Sequence, residues 1–219
     1  DDGLEAAARR ARHQCYRDIA ADWIGLAHHR GDRAETMLFN ILRGAGVRGA
    51  GAMPERNGKL LRPMLDLGRP EITEYAKSRA LRWMEDESNR DIRLSRNFLR
   101  HRILPAICKR FPAVERRLAS TAARFAEAAG LLDDLAELDL SGQPSAFPLS
   151  LDRLKQLPEP RARNILRFLL AKHDVGIPSE QRLTEALRQF VMAAPDRHPV
   201  IVLGNHTLSR RGRFLELAI

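Results

Sequence analysis

The sequence lacks the features that define several protein classes. Its two cysteines, Cys15 and Cys108, are isolated, so neither a disulfide framework nor a CxxC zinc or redox site is available. No apolar run approaches the roughly 20 residues of a membrane span, and there is no signal-peptide core. No internal repeat is evident. The chain opens Asp1-Asp2-Gly3 instead of with Met, so a processed, cut or incompletely ordered start is expected. These absences lead us to expect a soluble cytoplasmic protein. A hydrophobic content of 44% in regular periodicity argues against disorder. The length of 219 residues suits one large or two small domains.

What is present is positive charge, +9 net and unevenly placed. Residues 90–110 hold seven basic side chains against Asp91 alone. Such a patch suits phosphate or nucleic acid, and suits a solvated arginine-rich helix equally well.

Residues 4–20 carry the alanine and arginine pattern of a helix. Trp23 to Ala27 is a short apolar run ending at His28-His29, which reads as a buried parallel strand. Helical period returns over 32–43, and Gly44 to Gly51 breaks it. Leu60 to Leu65 is a second apolar run, which Pro63 assigns to an edge or a strand end. Residues 69–81, with Pro70 in the first turn, predict another helix. This alternation is an α/β layer with a parallel sheet, and strands beyond the sequence are expected to complete it. Further on, 95–110, 112–139, 159–173 and 179–193 read as helices and 141–148 as a loop. Val200 to Ile219 reads as an antiparallel meander turning at Gly204-Asn205 and Arg211-Gly212. A domain boundary is expected near residue 110.

Two constellations could carry chemistry. In the first, His28 to Thr36, Asp32 and Glu35 share a helix face at the carboxyl end of a strand, where open α/β sheets bind ligands. They could hold Mg²⁺ or an ammonium group, or form a capping box with Asp32 as the cap and Glu35 reaching back. The second joins the acidic loop Glu85 to Asn89 with Arg93, Arg96 and Arg100, spaced to face phosphates or to pair with those acids. Arg116, Arg117, Arg124, Arg161, Arg163 and Arg167 suit an RNA backbone or a solvated face. A metal hydrolase on His28, His29, Asp32 and Glu35 and a non-catalytic RNA-binding module remain as alternatives.

Taken together, the motifs resemble the tRNA(Ile)-lysidine synthetases, a family of PP-loop ATPases. The resemblance rests on Leu4 to Arg12, His28 to Thr36, the looser Arg43 to Gly49, Arg62 to Leu65, Asp86 to Asn89 and Arg96 to Pro105, in the family's order. It implies the C-terminal part of a Rossmann-like PP-loop domain over 1–110, then a helical tRNA-binding domain with a small β meander over 111–219. It also implies ATP-dependent ligation of L-lysine to C2 of the wobble cytidine in an isoleucine tRNA with a CAU anticodon. ATP and Mg²⁺ are the implied cofactors, and no resident metal site is expected. By this resemblance Asp32, Glu35, Asn89 and Arg100 are catalytic and His28 lies near the nucleotide. Arg93, Arg96, Arg102, Arg116 and Arg117 would contact tRNA, and a homodimer is compatible. There are two departures. Gly31 replaces the first acid of the family's Asp-Asp pair, and the Ser-Gly-Gly-x-Asp-Ser phosphate loop is absent from these residues, so the 219 residues alone are expected to be inactive.

Overall fold

The computed structural model describes residues 4–51, 53–194 and 196–219, without the side chains of residues 4–6, 9 and 10. Most side chains of the Leu4–Arg12 motif therefore lie outside the described residues. The chain divides into two compact units, Asp1–Ala129 and Gly130–Ile219. The division falls inside a helix, beyond the boundary expected near residue 110. No helix among the described residues is long and apolar enough to cross a membrane.

The first unit opens with α1 (Leu4–Asp18), β1 (Ile24–Gly25) and α2 (Arg30–Leu42). The glycine segment turns into a short helix, α3 (Val47–Ala50), so it is not a plain break. Strands β2 (Arg56–Asn57) and β3 (Leu60–Leu61) follow, then α4 (Arg69–Ser78) with Pro70 in its first turn. The sheet order is β1-β3-β2. β1 and β3 are parallel, as the periodicity predicts, with Ile24 opposite Leu60. β2 was not foreseen. It pairs antiparallel with β3 across the turn Gly58-Lys59, so the sheet is mixed and Pro63 lies just past the end of its middle strand.

These strands are two residues long, too short to hold the unit through ladder bonds alone. Charged side chains tie its pieces together. Arg30 donates to the Asp66 carbonyl at 2.8 Å and to Glu71 Oε2 at 3.1 Å, and its Nε lies 3.5 Å from Glu115 Oε1. Glu71 in turn caps α4 by accepting from Gly68 N–H at 2.6 Å. The helical run from 95 consists of α5 (Ser95–Phe98), a π-helical turn (Leu99–Ile103), α6 (Leu104–Arg110) and α7 (Val114–Leu140). Gly51 packs so closely on α7 that a Cβ there would stand 2.5 Å from the Ala126 nitrogen.

The second unit has a continuous apolar core. β4 (Leu149–Ser150) and α8 (Leu151–Lys155) precede α9 (Glu159–Lys172) and α10 (Glu180–Met192). The predicted meander is β5 (Val200–Leu203), β6 (His206–Arg211) and β7 (Phe214–Ala218). Gly204 and Gly212, at φ 63° and 58°, supply the left-handed backbone its tight turns need. β4 adds a fourth strand on β7, giving the order β4-β7-β6-β5. Ile165, Leu169, Leu183, Phe190, Leu208 and Leu215 are fully buried between helices and sheet. At about 1.5–3 kcal/mol per large side chain, this burial is the unit's main stabilisation.

Candidate functional site

β1 runs directly into His28 and His29, so the start of α2 stands at the carboxyl end of a sheet strand. His29 is the N-cap, and its Nδ1 accepts from Gly31 N–H at 3.0 Å and Asp32 N–H at 3.4 Å. Asp32 closes the box by accepting from His29 N–H through Oδ2 at 2.9 Å. A capping box is therefore present, but the cap is His29 and Asp32 is the residue reaching back. Glu35 plays no part in it.

Glu35 instead meets Arg100. The guanidinium donates from Nε to Glu35 Oε1 at 2.6 Å and from Nη2 to Oε2 at 2.8 Å. The same Nη2 donates to Asp32 Oδ1 at 3.0 Å. The carboxylates are thus neighbours on one helix face, as the spacing predicts, with one cation spanning both. Burial raises the Glu35 carboxyl above its usual range, and the Arg100 hydrogen bond and charge work against that rise. The Glu35 hydrogen bond, opposed by burial, holds the Arg100 guanidinium more firmly protonated than usual.

Arg100 reaches this position from the π turn. Pro105 has no N–H to bond the preceding turn, and Leu104 N–H instead reaches back five residues to the Leu99 carbonyl. Arg100 lies inside that widened turn. Asn97, which sequence reasoning passed over, is buried beside it. Its Nδ2 donates to the Ser88 carbonyl at 2.8 Å and the Asp91 carbonyl at 3.0 Å, pinning the acidic loop. The signal was its place between Arg96 and Arg100 in the longest motif.

The other expected residues are dispersed. His28 is half-buried and accepts from Arg62 Nε at Nδ1, 3.3 Å away. Burial lowers its pKa, Asp32 opposes that, and Arg62 and Arg96 reinforce the lowering. The exposed Asn89 reaches the π turn through its backbone, its carbonyl 2.7 Å from His101 Nε2. Arg93 is tied to its neighbour Asp91, whose carboxyl that contact draws down to about 2. Arg96 stacks over Phe39 with its guanidinium 5.7 Å from the ring centre. Arg102, Arg116 and Arg117 are exposed. On the acidic loop itself, Arg90 makes a loose contact with Glu85 at 3.9 Å. In the second unit Arg161 holds buried Asp139, while Arg163 and Arg167 hold Glu180, which gives these three arginines structural partners.

The donors a metal hydrolase would need are engaged elsewhere. His28 faces Arg62, His29 caps α2, and both carboxylates hold Arg100. Among the described residues no three His, Cys, Asp or Glu side chains converge as a metal site.

A PP-loop domain family matches residues 1–107, and the TilS substrate binding domain family matches residues 149–215. The tRNA(Ile)-lysidine synthase of Nitrosomonas europaea is 44% identical over 204 residues, which are 90% of this chain and 44% of the relative. Its namesake from an Azoarcus species is 48% identical over 195 residues, covering 86% and 43%. That of Coxiella burnetii is 38% identical over 216 residues, covering 96% and 48%. The chain spans about half the length of the curated relatives it matches. With both domain families matched in order and these relatives aligned over most of its residues, the chain belongs to the tRNA(Ile)-lysidine synthase family of PP-loop proteins.

Proposed function

We propose that this chain serves cytoplasmic tRNA modification, in which L-lysine is ligated to C2 of the wobble cytidine of an isoleucine tRNA with a CAU anticodon. ATP adenylates the C2 oxygen with release of pyrophosphate. The lysine ε-amine then attacks C2, and AMP leaves with that oxygen. The observation that carries this reading is the convergence of Arg100 on Glu35 and Asp32, which lie 65 and 68 residues away in sequence.

Lysine brings two ammonium groups and one carboxylate, and the cluster offers both signs of charge. An incoming ammonium can take Asp32 Oδ1 from Arg100 Nη2 while Glu35 keeps the guanidinium in place. The released N–H then faces the amino-acid carboxylate. Asn89 and His28 flank this centre in the proposal, with His28 toward the nucleotide. Arg93, Arg96, Arg102, Arg116 and Arg117 make the tRNA contacts, and a homodimer is the compatible assembly.

Asp32 and Glu35 already neutralise a guanidinium, so they do not fit Mg²⁺ as they stand, and we route no step through a metal. The starts of α2 and α4 are closed by Asp32 and Glu71, so neither is a free phosphate cradle and no nucleotide step is assigned to them.

Calorimetric titration of the 219-residue chain with L-lysine in the presence of tRNA tests the reading. Binding that Asp32→Asn abolishes is expected. Salt-sensitive tRNA binding with no lysine binding would favour the RNA-binding module instead. The chain alone is expected to give no ATP–pyrophosphate exchange, and detectable exchange would overturn that expectation.

A further inference from the structure

At position 31 the chain carries glycine where the family motif carries the first of two acids, and the structure gives that glycine a physical role. A Cβ built on Gly31 would stand 2.8 Å from His29 Cε1 and 3.1 Å from His29 Nδ1. The first distance is well inside van der Waals contact. The imidazole occupies the space a side chain at 31 would need, and there it accepts both first-turn amides. A carboxylate at 31 would also begin 3.8 Å from the Glu115 carboxyl carbon, placing like charges together.

The cap reaches the cluster through Asp32. One oxygen of that carboxylate, Oδ2, accepts from His29 N–H, and the other, Oδ1, accepts from Arg100 Nη2. The ring's Nε2 adds a 3.6 Å contact to Oδ2. With both oxygens assigned, Asp32 has one orientation that satisfies both ends. We infer that Gly31 is a positioning residue: the missing Cβ lets His29 fold over the first turn of α2, and that fold aims Asp32 at Arg100. The inference rests on reading Asp32, Glu35 and Arg100 as the site. Gly31 acts through His29 and Asp32 and touches no substrate itself.

The test uses the full 219-residue chain without lysine, ATP or tRNA, so its outcome is independent of whether the chain catalyses the proposed ligation. Hydrogen exchange is followed by NMR at the amides of residues 31 and 32 and at the Arg100 guanidinium. In Gly31→Ala, protection at all three is expected to fall about tenfold, the scale of a lost N-cap. Asparagine is a favoured cap with a shorter side chain, so His29→Asn combined with Gly31→Ala is expected to restore protection to within about twofold. Unchanged exchange in Gly31→Ala would overturn the inference. So would a loss that persists in the double variant, because the fault would then not lie in the ring. If Gly31→Ala does not fold, the double variant decides: recovered helical signal and protection support the inference, and a second failure overturns it.

Discussion

Arg100→Ala removes the guanidinium that holds both oxygens of Glu35. The Glu35 side chain is 8% exposed and that of Arg100 is 26% exposed. Deleting one partner of a buried pair leaves an uncompensated charge, at a cost of about 3–5 kcal/mol. The variant can escape by protonation, since the two largest influences that lower the Glu35 carboxyl come from Arg100, with His29 adding a smaller one, while the burial that raises it remains. A carboxyl raised in the folded state binds more protons there than in the unfolded chain, so stability falls as pH climbs from its unfolded value of about 4.3 through its folded one. The deficit against the parent should therefore be largest near pH 7 and mostly absent near about pH 4. Urea unfolding read by tryptophan fluorescence suits the measurement, because Trp23 and Trp83 both lie in the first unit. A loss of about 3 kcal/mol with an m-value of about 1–3 kcal/mol/M lowers the midpoint by roughly 1–3 M near neutrality. Glu35→Gln in the same background should return part of it, having no charge to strand. A deficit below about 1 kcal/mol that is flat with pH would refute the reasoning, since that is how a solvent-screened pair behaves.

Other expectations follow from single contacts. His28 should titrate below the ordinary 6.5 because burial outweighs the Asp32 charge, and its neutral form contributes stability that fades as pH falls through that range; an NMR midpoint above 6.5 would show Asp32 prevailing. Gly51→Ala drives a Cβ into the backbone at Ala126 and should destabilise the first unit by about 1–3 kcal/mol in chemical denaturation. Arg116→Ala and Arg117→Ala, both exposed, should each flatten the salt dependence of tRNA binding by about one unit of log–log slope, measured by fluorescence anisotropy. An unchanged slope would remove them from the interface.

The helices were legible because their apolar period and their proline and glycine boundaries are local properties. Pro70 and the first turn of α4 coincide for that reason, as do the meander's two turns. β2 escaped notice because exposed Glu55 and Arg56 show no apolar alternation and its turn, Gly58-Lys59, carries only the glycine of a hairpin signal. β4 was missed because a two-residue strand exists only through its partner, here Leu149 against Leu215, and α8, at five residues, is too short to show a helical period. At the site, the shared face of Asp32 and Glu35 follows from spacing. The bidentate hold of Arg100 depends on a π turn and a distant packing that no periodicity encodes. The His29 cap was overlooked because histidine is not among the preferred N-cap side chains.

The bridging of loop, helix starts and α7 by Arg30 has a thermodynamic consequence. Such links weaken as ionic strength rises, whereas apolar burial does not. The unit held by Arg30, Glu71 and Glu115 should melt earlier in added salt, while the unit built on Ile165, Leu169 and Phe190 keeps its transition. Calorimetry at two salt concentrations would then resolve one endotherm that moves from one that stays. Of the two units, the one carrying the proposed chemistry is the one whose order answers to the charges around it.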